Sequence, residues 1–166
     1  MGDDGDVLEQ LDHILEFQLG DLVEVSSQQL ANFLVAVGCM NTIEFLGGVR
    51  NGELGENHKV DSRFKEGVRL LGGEYTTFGE DNMYRLRNGL THQYLPSLDD
   101  LALIRILNDR NNNQAIFRDN GVLALNVARL VDDIKTAWNR LRCELLQNAE
   151  MRSRAQGVLA RLPRLL

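Results

Sequence analysis

The chain has 166 residues, which is close to the ~150 of an average domain, so we predict one domain over residues 1–166 with a flexible start at residues 1–5. Its 43% hydrophobic and 25% charged residues are typical of a soluble globular protein and exclude a mainly disordered chain. The longest apolar run, Leu34 to Met40, is far shorter than the ~20 residues of a transmembrane helix, so we expect no membrane span.

Cysteine usage and charge narrow the class further. Cys39 and Cys143 are too few for a disulfide framework and lack the spacing of a zinc site. The first 30 residues carry eight acids and no Lys or Arg, unlike a secretory signal. We therefore expect a reduced, cytoplasmic protein without a metal ion or other cofactor. The net charge of −6 disfavours a protein that coats nucleic acid over its whole surface.

The charge is distributed unevenly along the chain. Residues 1–49 contain nine acids and no Lys or Arg, whereas residues 135–166 contain seven bases and two acids. This polarity could steer an anionic ligand to one end of the molecule. Alternatively, it reflects two solvated faces of opposite sign, or an acidic segment that packs on a basic one.

The first half of the chain is predicted to be helical. Asp6 followed by Glu9 is a capping-box pattern for a first helix, which Gly20 could interrupt. Ser26 or Ser27 is the predicted N-cap of a second, buried helix of about 22 residues. The apolar positions of this second helix are Leu30, Phe33, Leu34, Val37, Met40 and Ile43.

Two further helices are predicted before the chain changes character. Residues 61–71 form a helix that a pair of glycines ends. Thr77 followed by Glu80 is a second capping-box pattern and predicts the start of the next helix. Because Pro96 restricts the residue before it, this helix should end near residues 93 and 94.

A short β segment and a long helix complete the prediction. Strands are expected at Leu101–Leu107, Ala115–Phe117 and Val122–Leu125, and Asp119–Gly121 has the Asn-Gly pattern of a hairpin turn. Asn126 is the predicted N-cap of a long amphipathic helix, and a last helix follows from Glu150 to Leu162. The fold class is therefore a mainly α, up-and-down helical bundle with a small antiparallel β insertion at about residues 100–125.

The end of the fourth predicted helix concentrates the residues that can do chemistry. Arg85, Arg87, Asn88, His92 and Tyr94 lie within ten positions, whereas the other two histidines are interpreted as structural or incidental. In an ideal helix Arg87 and His92 lie about 140° apart and Arg85 and His92 about 20° apart. Which arginine shares a pocket with the histidine therefore stays open, as does a purely structural helix end.

An arginine and a histidine together suit the cleavage of a phosphodiester. A guanidinium grips phosphate and always keeps its charge, and an imidazole exchanges a proton near neutral pH. The histidine would activate a ribose 2′-hydroxyl while the arginine stabilises the transition state. The reaction also needs an acid for the leaving group, and a symmetric homodimer would supply a second histidine.

The segment Arg87–Tyr94 resembles the R-x4-H-x-Y motif of the HEPN superfamily (higher eukaryotes and prokaryotes nucleotide-binding). Arg87 and His92 match the motif's ends, Asn88 matches its polar position, and the longer phrase Arg87–Pro96 is similar to a branch of bacterial HEPN-like proteins of unassigned role. The resemblance implies a helical bundle with this motif near the end of its third or fourth helix.

The same resemblance implies a dimeric, metal-independent endoribonuclease, of the kind found among toxins and defence effectors. Arg87 and His92 would be catalytic and Asn88 supporting, with RNA or a nucleotide in the cleft between subunits. Tyr94 matches a position that a nucleotidyltransferase-type antitoxin modifies with AMP in some family members. Two alternatives stay open: an inactive HEPN-like module that binds a nucleotide, RNA or protein, and a purely structural dimerisation domain.

Overall fold

The computed structural model describes residues 4–28, 31–53, 59–93 and 103–160. Within them the helices and strands follow one another in this order: α1 (Asp4–Ser27), α2 (Asn32–Asn51), α3 (Val60–Leu71), α4 (Gly73–Phe78), α5 (Glu80–Asn88), a π-helical turn (Gly89–Gln93, the π turn), β1 (Arg105–Leu107), β2 (Ile116–Asp119), β3 (Val122–Asn126), α6 (Val127–Gln147) and α7 (Ala149–Leu159). The predicted fold class, a mainly α bundle with a small β insertion, is confirmed.

The first helix is longer than the sequence pattern suggested. It runs without a break through Gly20, and Asp4 and Gly5 already belong to it, while residues 1–3 lie outside the described residues. The prediction that Ser26 or Ser27 caps α2 is wrong, because both residues belong to the last turn of α1. The Ser27 hydroxyl donates to the carbonyl of Glu24, which is a bond within α1.

The second helix forms the centre of the bundle. It packs against α1, α3, α6 and α7, and its buried side chains belong to one continuous core that extends from α1 to α7. By length and composition, the 20 residues of Asn32–Asn51 are apolar enough to cross a membrane, which the short apolar run Leu34 to Met40 did not indicate. More than half of its most apolar stretch is buried within the bundle, as in the core helix of a soluble protein.

Helices α2 and α3 cross at an unusually short distance. A Cβ atom at Gly47 would lie 1.9 Å from the carbonyl oxygen of Arg63, and one at Gly67 would lie 2.0 Å from that of Ile43. Since no other residue type lacks a Cβ atom, these two glycines allow backbone-to-backbone packing at the crossing. The approach brings Arg63 close to the side chains of α2.

Glycines separate the next helices. Gly72 ends α3 as the sequence predicts, but it is followed at once by the short helix α4. The predicted capping box at Thr77 is wrong: Gly79 precedes α5, and the Thr77 hydroxyl instead donates to the carbonyl of Gly73 inside α4. Gly72 and Gly79 have positive φ angles, which glycine adopts without strain, so the chain turns sharply at each of them.

The β insertion is a mixed three-stranded sheet, with β3 in the centre, rather than a purely antiparallel one. The Asn120-Gly121 turn has two positive φ angles and pairs β2 with β3 antiparallel, as predicted. β1 pairs with β3 in parallel, because the connection after β1 passes to the far side of β3 before β2 begins.

Asn126 stabilises this connection through the hydrogen bonds of its side chain. It is the residue before α6, as predicted, but its buried side chain makes no capping bond. Instead, its Oδ1 accepts from the backbone N–H of Asp109, and its Nδ2 donates to the carbonyls of Asp109 and Asn112. The side chain thus fixes the loop that crosses the sheet.

The long helix α6 packs against the acidic helix α1. Asp12 of α1 accepts a hydrogen bond from the indole of Trp138 and forms an ion pair with Arg142. Its partners both lie on α6, which begins and ends close to the predicted limits. At this contact an acidic segment does pack on a basic one, which is one of the three interpretations of the uneven charge.

Candidate functional site

Arg87 and His92 face one another at the end of α5. Arg87 Nη1 lies 3.4 Å from His92 Nε2; the imidazole is exposed, whereas the arginine side chain is 13% exposed. In a regular helix these residues would point about 140° apart. Here the chain from Gly89 to Gln93 forms a π turn, in which hydrogen bonds link residues five apart, and five is the spacing of Arg87 and His92.

Two neighbouring side chains support this geometry. The Thr91 hydroxyl donates to the carbonyl of Arg87 at 2.8 Å, a bond that competes with the regular helical pattern and favours the widened turn. Asn88 Oδ1 accepts from Arg87 Nη1 at 3.1 Å, so the polar residue after the arginine holds the same nitrogen that faces His92. Because a guanidinium only donates, His92 Nε2 accepts from Arg87 in the tautomer that carries its proton on Nδ1.

A carboxylate that the sequence analysis did not single out completes the site. Glu44 of α2 accepts from Arg87 Nη2 at 2.9 Å through one oxygen and from Arg63 Nη2 at 2.7 Å through the other. Arg63, at 5% side-chain exposure, was also missed. The sequence did carry a signal for Glu44, since it is the single acidic residue in the otherwise apolar segment of α2.

The other predicted site residues are placed apart from this cluster or lie outside the described residues. Arg85 is exposed, and its charge adds to the lowering of the pKa of Asp81, which is chiefly caused by a hydrogen bond from Lys65. The structure therefore brings Arg87, not Arg85, next to His92. Tyr94 lies outside the described residues. Of the two histidines interpreted as structural or incidental, His58 also lies outside them and His13 is exposed on α1.

Two other side chains that could be reactive, Cys39 and Tyr75, are buried in the core. Burial raises the pKa of the Cys39 thiol, which disfavours the reactive thiolate. Burial also raises the pKa of Tyr75, whose hydroxyl donates to Asp133. In the part of the chain that the structure describes, no group of three or more His, Cys, Asp and Glu side chains is arranged to hold a metal ion.

Three cavities on the described surface lie along α1 and α6, and neither Arg87 nor His92 lines any of the three. One of about 320 Å³ lies between the end of α1, the loop after β1 and the start of α6. Two more open grooves follow α1 near Trp138 and Arg142. The candidate site itself reaches the surface, since the imidazole of His92 is exposed.

Comparison with known proteins adds no family to this description. No family model matches the sequence, and neither the curated proteins nor the solved structures include a match.

Proposed function

We propose that the protein is a cytoplasmic, metal-independent endoribonuclease of the HEPN type that acts as a homodimer, in the manner of a toxin or defence effector. The contact between Arg87 and His92 carries this proposal, because an exposed imidazole beside a guanidinium offers a proton acceptor and a phosphate-binding group to one ligand. Their spacing is that of the R-x4-H motif.

The proposed reaction is an internal transfer at phosphorus. The neutral imidazole of His92 takes the proton of a ribose 2′-hydroxyl, and the 2′-oxygen attacks the adjacent phosphorus. The bond from phosphorus to the 5′-oxygen breaks, and a second acid protonates the leaving 5′-oxygen. The products are a 2′,3′-cyclic phosphate and a 5′-hydroxyl, while Arg87 stabilises the charge that builds up on the phosphate oxygens.

The need for a second acid is the reason to propose a homodimer. His92 is the one histidine at the site among the described residues, and after it has taken a proton it faces the 2′-oxygen rather than the leaving group. A two-fold axis near His92 would bring its copy from the other subunit to the opposite side of the scissile bond. Asn88 would keep Arg87 in place, and Tyr94 would be the position where a nucleotidyltransferase-type antitoxin attaches AMP.

A second candidate function is supported by the ion pair of Arg87. Its guanidinium is mostly buried and already bound to Glu44, as in a structural or binding site. An HEPN-like module that binds a nucleotide, RNA or protein without cleaving it fits this observation. The two candidates differ in whether the protein cleaves RNA, which one experiment measures.

The test is incubation of the purified protein with end-labelled single-stranded RNA in EDTA. We expect cleavage to 2′,3′-cyclic phosphate ends, lost in His92→Ala and retained in His13→Ala, a variant at an exposed histidine far along the sequence. Cleavage that persists in His92→Ala would rule out the proposed site. Binding of RNA with no turnover by the wild-type protein would favour the binding module instead.

A further inference from the structure

Glu44 connects the candidate site to the core of the protein. Its two carboxylate oxygens are divided between two guanidiniums, Oε1 to Arg63 at 2.7 Å and Oε2 to Arg87 at 2.9 Å. The side chains of Glu44, Arg63 and Arg87 are 16%, 5% and 13% exposed, so the three charges meet largely out of water. Charge-assisted hydrogen bonds in such surroundings hold their partners in a defined geometry.

The carboxylate itself is held firmly. Arg63 lies where α2 and α3 approach most closely, since Gly47 places the α2 backbone against the carbonyl of Arg63. Glu44 lies one turn before Gly47 on the same helix, and its first oxygen is bound to Arg63. The backbone crossing therefore fixes both ends of this ion pair.

The carboxylate also determines which nitrogen of Arg87 is free to face the surface. Because Nη2 is bound to Glu44, Nη1 points to Asn88 Oδ1 and His92 Nε2. The single negative charge of Glu44 is shared by the guanidiniums of Arg63 and Arg87. A phosphate group at His92 is the kind of anion that the guanidinium of Arg87 attracts.

We infer that Glu44, anchored by Arg63, is a positioning residue that aims Arg87 at the scissile phosphate and offsets part of the positive charge of the two arginines. This inference rests on the proposed ribonuclease function. It assigns Glu44 no contact with RNA, so its effect must act through the orientation of Arg87.

Two substitutions that change the charge of the cluster in opposite directions test the inference, together with a matched control. Glu44→Gln adds one positive charge and releases Arg87, so kcat for RNA cleavage should fall by about 100-fold while KM falls. Arg63→Met removes one positive charge beside Glu44, so KM should rise. The control is Glu66→Gln, because Glu66 has the same residue type, is 17% exposed and also pairs with two arginines, Arg50 and Arg69. Glu66→Gln should change neither kcat nor KM.

The outcomes separate this inference from the proposed function. Nuclear magnetic resonance of the Arg87 guanidinium protons, assigned with Arg87→Lys, should show a restrained group in the wild type and in Glu66→Gln but not in Glu44→Gln. If the wild type does not cleave RNA, the proposed function fails, and these signals still decide whether Glu44 orients Arg87. A folded Glu44→Gln with unchanged kcat or unchanged guanidinium signals would overturn the inference. If Glu44→Gln does not fold, an unchanged KM in Arg63→Met would overturn it.

Discussion

Arg87 Nη1 and His92 Nε2 lie 3.4 Å apart because the helix that carries them widens into a π turn. At ideal α-helical spacing, Arg85 would be the arginine nearly in line with His92. The choice between the two arginines is thus made by one irregular turn of backbone. That choice has a direct consequence for mutagenesis.

Substitution of the two arginines should give different results. Arg87→Ala removes the guanidinium beside His92, so we expect the rate of RNA cleavage to fall by about 100-fold or more. Arg85→Ala removes an exposed charge on the same helix and should leave the rate within about twofold. Initial rates with labelled RNA measure both, with thermal melts to verify folding. A larger loss in Arg85→Ala than in Arg87→Ala would contradict the assignment.

The crossing of α2 and α3 should tolerate no side chain. In Gly67→Ala the new Cβ would lie 2.0 Å from the carbonyl oxygen of Ile43, so the helices must separate. We expect the free energy of unfolding to fall by about 3 kcal/mol. Gly157→Ala in α7 is the matched control, because nothing lies within 4 Å of its new Cβ.

This control should instead raise the free energy of unfolding by roughly 0.5–1 kcal/mol, since alanine favours a helix more than glycine does. Urea denaturation of both variants measures the two changes. Equal effects of the same sign would show that the close approach at Gly67 is not tight in solution.

Asp12 should contribute to stability through its contact with α6. Asp12→Ala leaves the largely buried indole N–H of Trp138 without its acceptor and removes the partner of Arg142. We expect a loss of about 1–3 kcal/mol in the free energy of unfolding. Because Trp138 is the one tryptophan in the chain, its fluorescence reports both the local change and global unfolding. Asp21→Ala, at an exposed acid of the same helix, should change stability by less than about 0.5 kcal/mol.

Alkaline pH should destabilise the fold through Cys39. Burial raises the pKa of its thiol, so above pH ~8.5 the unfolded chain loses this proton while the folded chain keeps it. The unfolded state then binds fewer protons, and the free energy of unfolding should fall by up to ~1.4 kcal/mol per pH unit; below pH ~8.5 there is no such loss.

Urea denaturation between pH ~7.5 and pH ~9 tests this dependence. Cys39→Ala should remove the slope, whereas Cys143→Ala should keep it, because Cys143 is exposed. The range stops near pH ~9 because burial also raises the pKa of Tyr75, and an unfolded tyrosine, which titrates near pH ~10, would add to the slope above it. A slope that survives in Cys39→Ala would assign the effect to another group.

Much of the local structure followed from residue types and spacing. The apolar stripe of α6 predicted a long helix because its repeat matches the helical period, and Asn120-Gly121 predicted a hairpin because both residues accept positive φ. Where capping patterns failed, as at Ser27 and Thr77, the hydroxyls donate to carbonyl oxygens of the preceding turn instead.

The sequence by itself determined the helical class, the hairpin and the concentration of Arg85, Arg87, Asn88 and His92 in one short segment, since these depend on residues close together in the chain. Only the tertiary structure decided the parallel pairing of β1, the partnership of Glu44 with Arg63 and Arg87, and which arginine faces His92. The pairing and the partnership join positions far apart in the chain, and the choice of arginine depends on a widened turn. None of these leaves a periodic pattern in the sequence.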